Sequence, residues 1–239
     1  ALVSLFLATA CNMTTSPKNS DASSPVFLTF TTPSDTTGRL YPVKPTNNAG
    51  IIIVSTTENS SERWDSVCRK AQENRLTTAI VSLPSALTSG STKTLVPELS
   101  RKELETIDAA RRALVERGVQ LENIAIIGEE KTAVHVLQYA LQRPEVPAIV
   151  LLSPVTTEQG IDLSQTIVEY GNRACLIMAA EGDAYAAAVA HAIKKNAVGF
   201  CELRIYTGAA HGADLFYTSQ QALEQLFLWL SQVLHFAVQ

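Results

Sequence analysis

Apolar runs of strand length alternate with stretches of helical periodicity from residue 26 onward. Residues 26–32 (VFLTFTT) and 38–43 (GRLYPV) flank a polar, proline-containing link and are expected to pair as an antiparallel hairpin. Residues 49–56 (AGIIIVST) are apolar without alternation, as in a strand covered on both faces. An amphipathic stretch over 61–74 precedes the strand 76–83 (LTTAIVSL), and a Ser/Thr/Gly-rich loop over 84–94 leads to a helix over 100–118. Ser100 and Glu103 fit a capping box at its start, and Gly118 sits at its stop. Strand 124–128 (IAIIG) turns into a helix over 131–142, and strands 148–154 and 174–183 follow. A helix over 185–196, a last strand with its exit loop over 201–212 and a closing helix over 219–234 complete the pattern.

Eight strands alternating with helices predict an α/β fold with a mainly parallel sheet, helices on both faces and sites at the carboxyl ends of the strands. No linker interrupts the pattern after Pro25, so residues 26–239 are expected to form one domain. About twenty residues join the strand at Leu152 to the one at Leu176, too few for a lid domain, which leaves that edge open.

Composition narrows the classes. The 239 residues are 46% hydrophobic and 18% charged, as in an ordinary folded protein, and the net charge of −4 without a basic run argues against a nucleic-acid partner. Residues 1–11 (ALVSLFLATAC) are an apolar run ending in small residues before Cys11. They read as a truncated export signal that resembles the lipobox of bacterial lipoproteins, with Leu7 one place early and Ala8 in its slot. Lipidation at Cys11 and a membrane anchor in the bacterial cell envelope are therefore expected, an ordinary signal peptide being the alternative. Residues 12–25 are polar and Ser/Thr-rich and read as a flexible tether. The other cysteines, Cys68, Cys175 and Cys201, fit no zinc spacing, and neither a metal nor a cofactor is expected. Cys175 and Cys201 each open a strand, where an export route would permit a disulfide; buried free thiols are the expected state of all three.

Candidate chemistry lies just past three strand ends. Glu130 follows IAIIG, Asp183 follows CLIMAAEG, and His211 follows IYTGAA. That is the chain order of nucleophile, acid and histidine in an acyl-transfer triad. With GRLYP, GIIIVST followed by ERW, VQLENIAIIG, IVLLSP, LIMAAEGDAYAAAVA and above all LRIYTGAAHGADLF, the chain resembles the α/β-hydrolase superfamily over residues 27–234. Its likeness is to the branch near dienelactone hydrolase and small bacterial esterase-like proteins. The resemblance implies the α/β-hydrolase fold without a lid domain and a small acyl or ester ligand.

The departures concentrate at the site. The elbow reads Gly128-Glu129-Glu130-Lys131-Thr132, with Glu130 where the family has Ser or Cys and Thr132 where it has a small residue. The oxyanion-loop positions implied by the resemblance are Ser55, Thr56 and Lys131, with Ser55 and Thr56 in place of a His-Gly pair. A carboxylate is a weak nucleophile towards esters, so a catalytically inactive or repurposed fold with a binding or scaffolding role is the leading expectation. Two alternatives stay open. Glu130 could attack an alkyl carbon, as an elbow Asp does in haloalkane dehalogenases and epoxide hydrolases, although Glu is one methylene longer and a shift on the order of 1 Å can cost ~10²-fold. An active esterase could instead use Ser153 or Ser82. Glu130 could also form a charge pair with His211, or His211 could be a turn residue paired with Asp183. Glu129 and Glu130 could equally be a solvated helix start neutralised by Lys131. His135 is expected in the core, His191 at a helix end and His235 in an exposed tail.

Overall fold

The computed structural model describes residues 26–33, 36–56, 61–83, 101–158 and 160–238. The export segment with Cys11, the tether, the tip of the first hairpin, the loop over 84–94 and Ser100 of the capping box lie outside the described residues.

The strands are β1 (Leu28–Thr31), β2 (Thr37–Tyr41), β3 (Gly50–Thr56), β4 (Thr77–Leu83), β5 (Ile124–Glu129), β6 (Ala148–Leu152), a short pair β7 (Thr157–Glu158) and β8 (Ile161–Asp162), then β9 (Ala174–Ala180) and β10 (Cys201–Tyr206). The helices are α1 (Asp65–Glu73), α2 (Arg101–Val115), α3 (Thr132–Gln142), α4 (Leu163–Tyr170), α5 (Ala184–Asn196), the single turn α6 (Leu215–Thr218) and α7 (Gln220–Val233). Eight strands form one sheet in the order β1-β2-β4-β3-β5-β6-β9-β10. β1–β2 and β2–β4 are antiparallel, and every pair from β4–β3 to β9–β10 is parallel. This is the α/β-hydrolase fold, with the mainly parallel eight-stranded sheet that the apolar runs predict.

The period of two along each strand divides the core into two layers. Ile52, Val54, Ile126, Ile149, Leu151 and Ile177 face α2, α3, α4 and α5. Ile51, Ile53, Ile127, Val150, Leu152 and Met178 face α1, α6 and α7. Both faces of the central strands are thereby dry, which is why their sequences show no polar alternation.

The amphipathic stretch over 61–74 is not one helix; Ser61–Trp64 is a 3-10 turn before α1. Trp64 is fully buried there, its ring 6.1 Å from that of Phe216. The link of about twenty residues between β6 and β9 folds into the β7–β8 hairpin and α4. Asp162 caps α4, its carboxylate accepting from the backbone N–H groups of Ser164 and Gln165, while Leu163, Ile167 and Tyr170 bury one face against α3 and α5.

At the junction of β5 and α3 the backbones nearly touch. A Cβ on Gly128 would stand 2.6 Å from the Thr132 carbonyl oxygen, a main-chain atom that cannot rotate away. Gly128→Ala should therefore destabilise the fold by about 3 kcal/mol. Urea unfolding of the variant beside the native chain measures that loss.

Candidate functional site

The carboxyl ends of β5, β6, β9 and β10 meet at one place, and each contributes a polar group. β5 ends at Glu129, and Glu130 turns into a left-handed backbone at φ +51° before α3 begins. A non-glycine residue held there costs on the order of 1–3 kcal/mol, so the surroundings must impose it. They do so through main-chain bonds: the Glu130 N–H donates to the Leu152 carbonyl at 2.9 Å, and the Glu130 carbonyl accepts from Ala133 N–H at 3.2 Å. Thr132 fills the space at the turn. Its hydroxyl accepts from the Glu129 N–H at 2.9 Å and donates towards the Val54 carbonyl at 2.6 Å, with the Glu129 carbonyl at 2.8 Å as alternative acceptor. The larger residue is accommodated because both its donor and its acceptor are used.

Glu130 projects towards His211. Its Oε1 lies 3.3 Å from His211 Nε2, and the other ring nitrogen, Nδ1, bonds Asp183 Oδ2. Asp183 is fixed in turn as the N-cap of α5, its Oδ1 accepting from Ala186 N–H at 3.3 Å. The loops carrying the acid and the histidine are joined directly, with Gly182 N–H donating to the Gly208 carbonyl at 2.7 Å. Glu130, His211 and Asp183, the three residues expected from chain order, thus form one continuous chain of contacts.

Glu129 occupies a different position from the one expected. It is fully buried, not part of a solvated helix start. Its Oε1 accepts from the Ser55 hydroxyl at 2.9 Å, its Oε2 accepts from Ala213 N–H at 3.1 Å, and Arg63 Nη1 stands 3.8 Å away. Arg63 also donates to Asp214 Oδ1 and to the His211 carbonyl, both at 3.2 Å. The cation facing Glu129 is Arg63, while Lys131 is exposed. Arg63 was not singled out by the sequence; its place beside Trp64 in a turn supplied the only cue.

Ser153 follows β6 in a second left-handed backbone at φ +43°, fully buried, and its hydroxyl accepts from Gly212 N–H at 2.9 Å. It holds the histidine loop and presents no exposed oxygen to a substrate. Ser82 lies in β4, separated from β5 by β3. Ser55 is committed to Glu129, and Thr56 is buried at the end of β3. Gly212 fits where no side chain could: at φ +56°, its added Cβ would meet Glu129 Oε2 at 2.7 Å and Glu130 Oε1 at 3.1 Å. His135 is buried with Nε2 3.6 Å from Glu103, and His191 and His235 are exposed.

Burial holds the Glu130 carboxyl above the usual carboxylate range; His211 and Arg63 oppose this, while Glu129 and Asp183 add to it. Among the described residues no three His, Cys, Asp or Glu side chains are placed to hold a metal ion. No helix among them is long and apolar enough to cross a membrane.

No protein-family model matches the chain, and no curated protein matches it significantly by sequence. Solved structures do match in fold. A hormone-sensitive lipase from a metagenome library is 12% identical, with a TM-score of 0.62, over 86% of this chain and 84% of that one. The esterase domain of a Rhodothermus marinus protein is 14% identical, with a TM-score of 0.64, over 87% and 98%. A 2,6-dihydroxy-pseudo-oxynicotine hydrolase is 8% identical, with a TM-score of 0.65, over 89% of this chain and 69% of that one. These likenesses establish the α/β-hydrolase scaffold.

A carboxyl whose pKa is raised on folding contributes stability below its unfolded value of about 4.3 and loses it as pH rises through the folded value. Glu130 therefore works against the fold at neutral pH. Glu130→Gln should raise Tm by about 2 °C at pH 7, solvent screening keeping the gain small, and the difference should vanish below about pH 4. Thermal melts of both chains across that range test the sign.

Proposed function

We propose that this chain is a repurposed hydrolase scaffold of esterase ancestry, near dienelactone hydrolase, that binds a small acyl or ester ligand without hydrolysing it through a serine route. One observation carries the reading: the elbow position facing His211 holds the Glu130 carboxylate, with Oε1 3.3 Å from Nε2. Histidine activates a hydroxyl or thiol by removing its proton, and a carboxylate in that place has none to give at neutral pH. The ancestry rests on LRIYTGAAHGADLF and the neighbouring motifs. Export and attachment to the bacterial envelope through Cys11 rest on residues 1–25 of the sequence.

The same contact favours a second reading, in which Glu130 is itself a nucleophile towards a saturated carbon. A Glu130 oxygen would form a bond to a primary alkyl carbon as halide leaves with the bonding pair. His211 would then take a proton from water, and the hydroxide would add to the ester carbonyl and release the alcohol. The Asp183 partner supports the positive charge that His211 acquires in that step.

A short-chain p-nitrophenyl ester separates the first reading from ordinary esterase action. The native chain should be silent. Glu130→Ser should gain turnover on the order of 10²-fold over background, a small part of the ~10⁶-fold that a complete serine triad supplies. His211→Ala in the Glu130→Ser chain should remove the gain. Native turnover abolished by His211→Ala overturns the binding reading. For the second reading, the His211→Gln chain is incubated with a primary alkyl bromide and digested for mass spectrometry. An alkyl ester on the Glu130 peptide supports a carboxylate nucleophile, and an unmodified peptide removes it.

A further inference from the structure

Cys175 in β9 and Cys201 in β10 are direct partners in the parallel register of those strands. Both belong to the core layer beneath α2–α5, so their side chains share one face of the sheet. Neighbouring strands lie about 4.8 Å apart. That separation falls within the roughly 4.4–6.8 Å between Cα atoms that a disulfide spans. Cys68 is also a buried thiol but lies in α1 in the opposite layer.

The two thiols are chemically unequal. Cys175 is 1% exposed, and its bond to Cys201 together with burial pushes its thiol well up; Cys201 is 7% exposed, and its thiol is lowered by that bond, against the opposing effect of burial, with the Lys194 ammonium adding to the lowering. Lys194, from α5, is held there by its bond to the Cys201 carbonyl. Cys201 is the first residue of the outermost strand on its side of the sheet, preceded by the half-exposed Val198 and Phe200. Fraying of one strand end is enough to admit a small reagent.

We propose that Cys175 and Cys201 form a dithiol–disulfide site, oxidised by a low-molecular-weight disulfide such as oxidised glutathione, that joins β9 to the edge strand β10. The site is independent of the reading given for Glu130 and His211, although β9 leads to Asp183 and β10 to His211. Cys201 releases its proton to water, and its thiolate attacks one sulfur of the reagent, forming a mixed disulfide and expelling one glutathione thiolate. Cys175 then loses its proton to that thiolate and attacks the Cys201 sulfur, and the second glutathione leaves as thiolate and takes a proton from water. The protein loses two electrons and two protons, and one glutathione disulfide becomes two thiols.

The full chain, reduced and then exposed to oxidised glutathione at neutral pH, is alkylated, digested and mapped by mass spectrometry. A peptide pair joined through Cys175 and Cys201, with Cys68 alkylated as a free thiol, is the expected result. In Cys175→Ser, Cys201 should be recovered carrying glutathione; in Cys201→Ser, Cys175 should be recovered as a free thiol. Native chain in which both cysteines are alkylated, or in which each carries its own glutathione, overturns the proposal.

Discussion

A carboxylate with no exposed surface, that of Glu129, organises the carboxyl end of the sheet. Removing such a group from water costs several kcal/mol unless its oxygens are met by donors. Here three parts of the chain meet it: Ser55 at the end of β3 and Ala213 N–H in the loop after β10 donate to its oxygens, and the Arg63 guanidinium in the turn before α1 stands 3.8 Å away as counter-ion. Satisfying one buried group therefore fixes the elbow, the turn and the histidine loop relative to one another. Ser153 performs the same service for the adjacent N–H of Gly212, so two consecutive main-chain donors after His211 are captured from below. His211 is positioned mainly by its backbone, and its ring is then oriented by Asp183.

That arrangement separates the backbone of the turn from the Glu130 side chain. The left-handed backbone at Glu130 is set by the Leu152 carbonyl, the close packing of Gly128 on α3 and the bonds of Thr132. None of these contacts involves the Glu130 side chain. The turn can carry a carboxylate without any of these main-chain contacts changing, and the fold shared with esterases and lipases does not by itself assign their reaction.

The layers of the fold were legible because burial on both faces leaves a plain mark in β3, β5, β6 and β9. Glu130, Asp183 and His211 were legible because each follows a strand end in a fixed order. Glu129 was not, since a pair of glutamates before a helix looks the same whether it is solvated or buried; only the third dimension brings Ser55, Arg63 and Ala213 around it. The helix α4 was missed for a different reason. Its apolar positions Leu163, Ile167 and Tyr170 have helical spacing, but its length of eight residues gives the periodicity only two turns in which to show. Thr132 reads in sequence as a misfit in a tight turn, and the structure resolves the misfit through hydrogen bonds that spacing cannot reveal.

The chemical consequence turns on the imidazole between two carboxylates. In a serine triad, one side of the ring faces an acid and the other a group that can surrender a proton, and this asymmetry gives the proton a direction. Here Asp183 faces Nδ1 and Glu130 faces Nε2, so both nitrogens meet acceptors. A doubly protonated ring satisfies both, whereas a neutral ring leaves one nitrogen lone pair directed at a carboxylate oxygen. Protonation of Glu130 relieves that opposition as well, and burial already favours its neutral form. Both ring nitrogens therefore face carboxylate oxygens, and the Nε2 side, where a serine triad has its hydroxyl, holds Glu130.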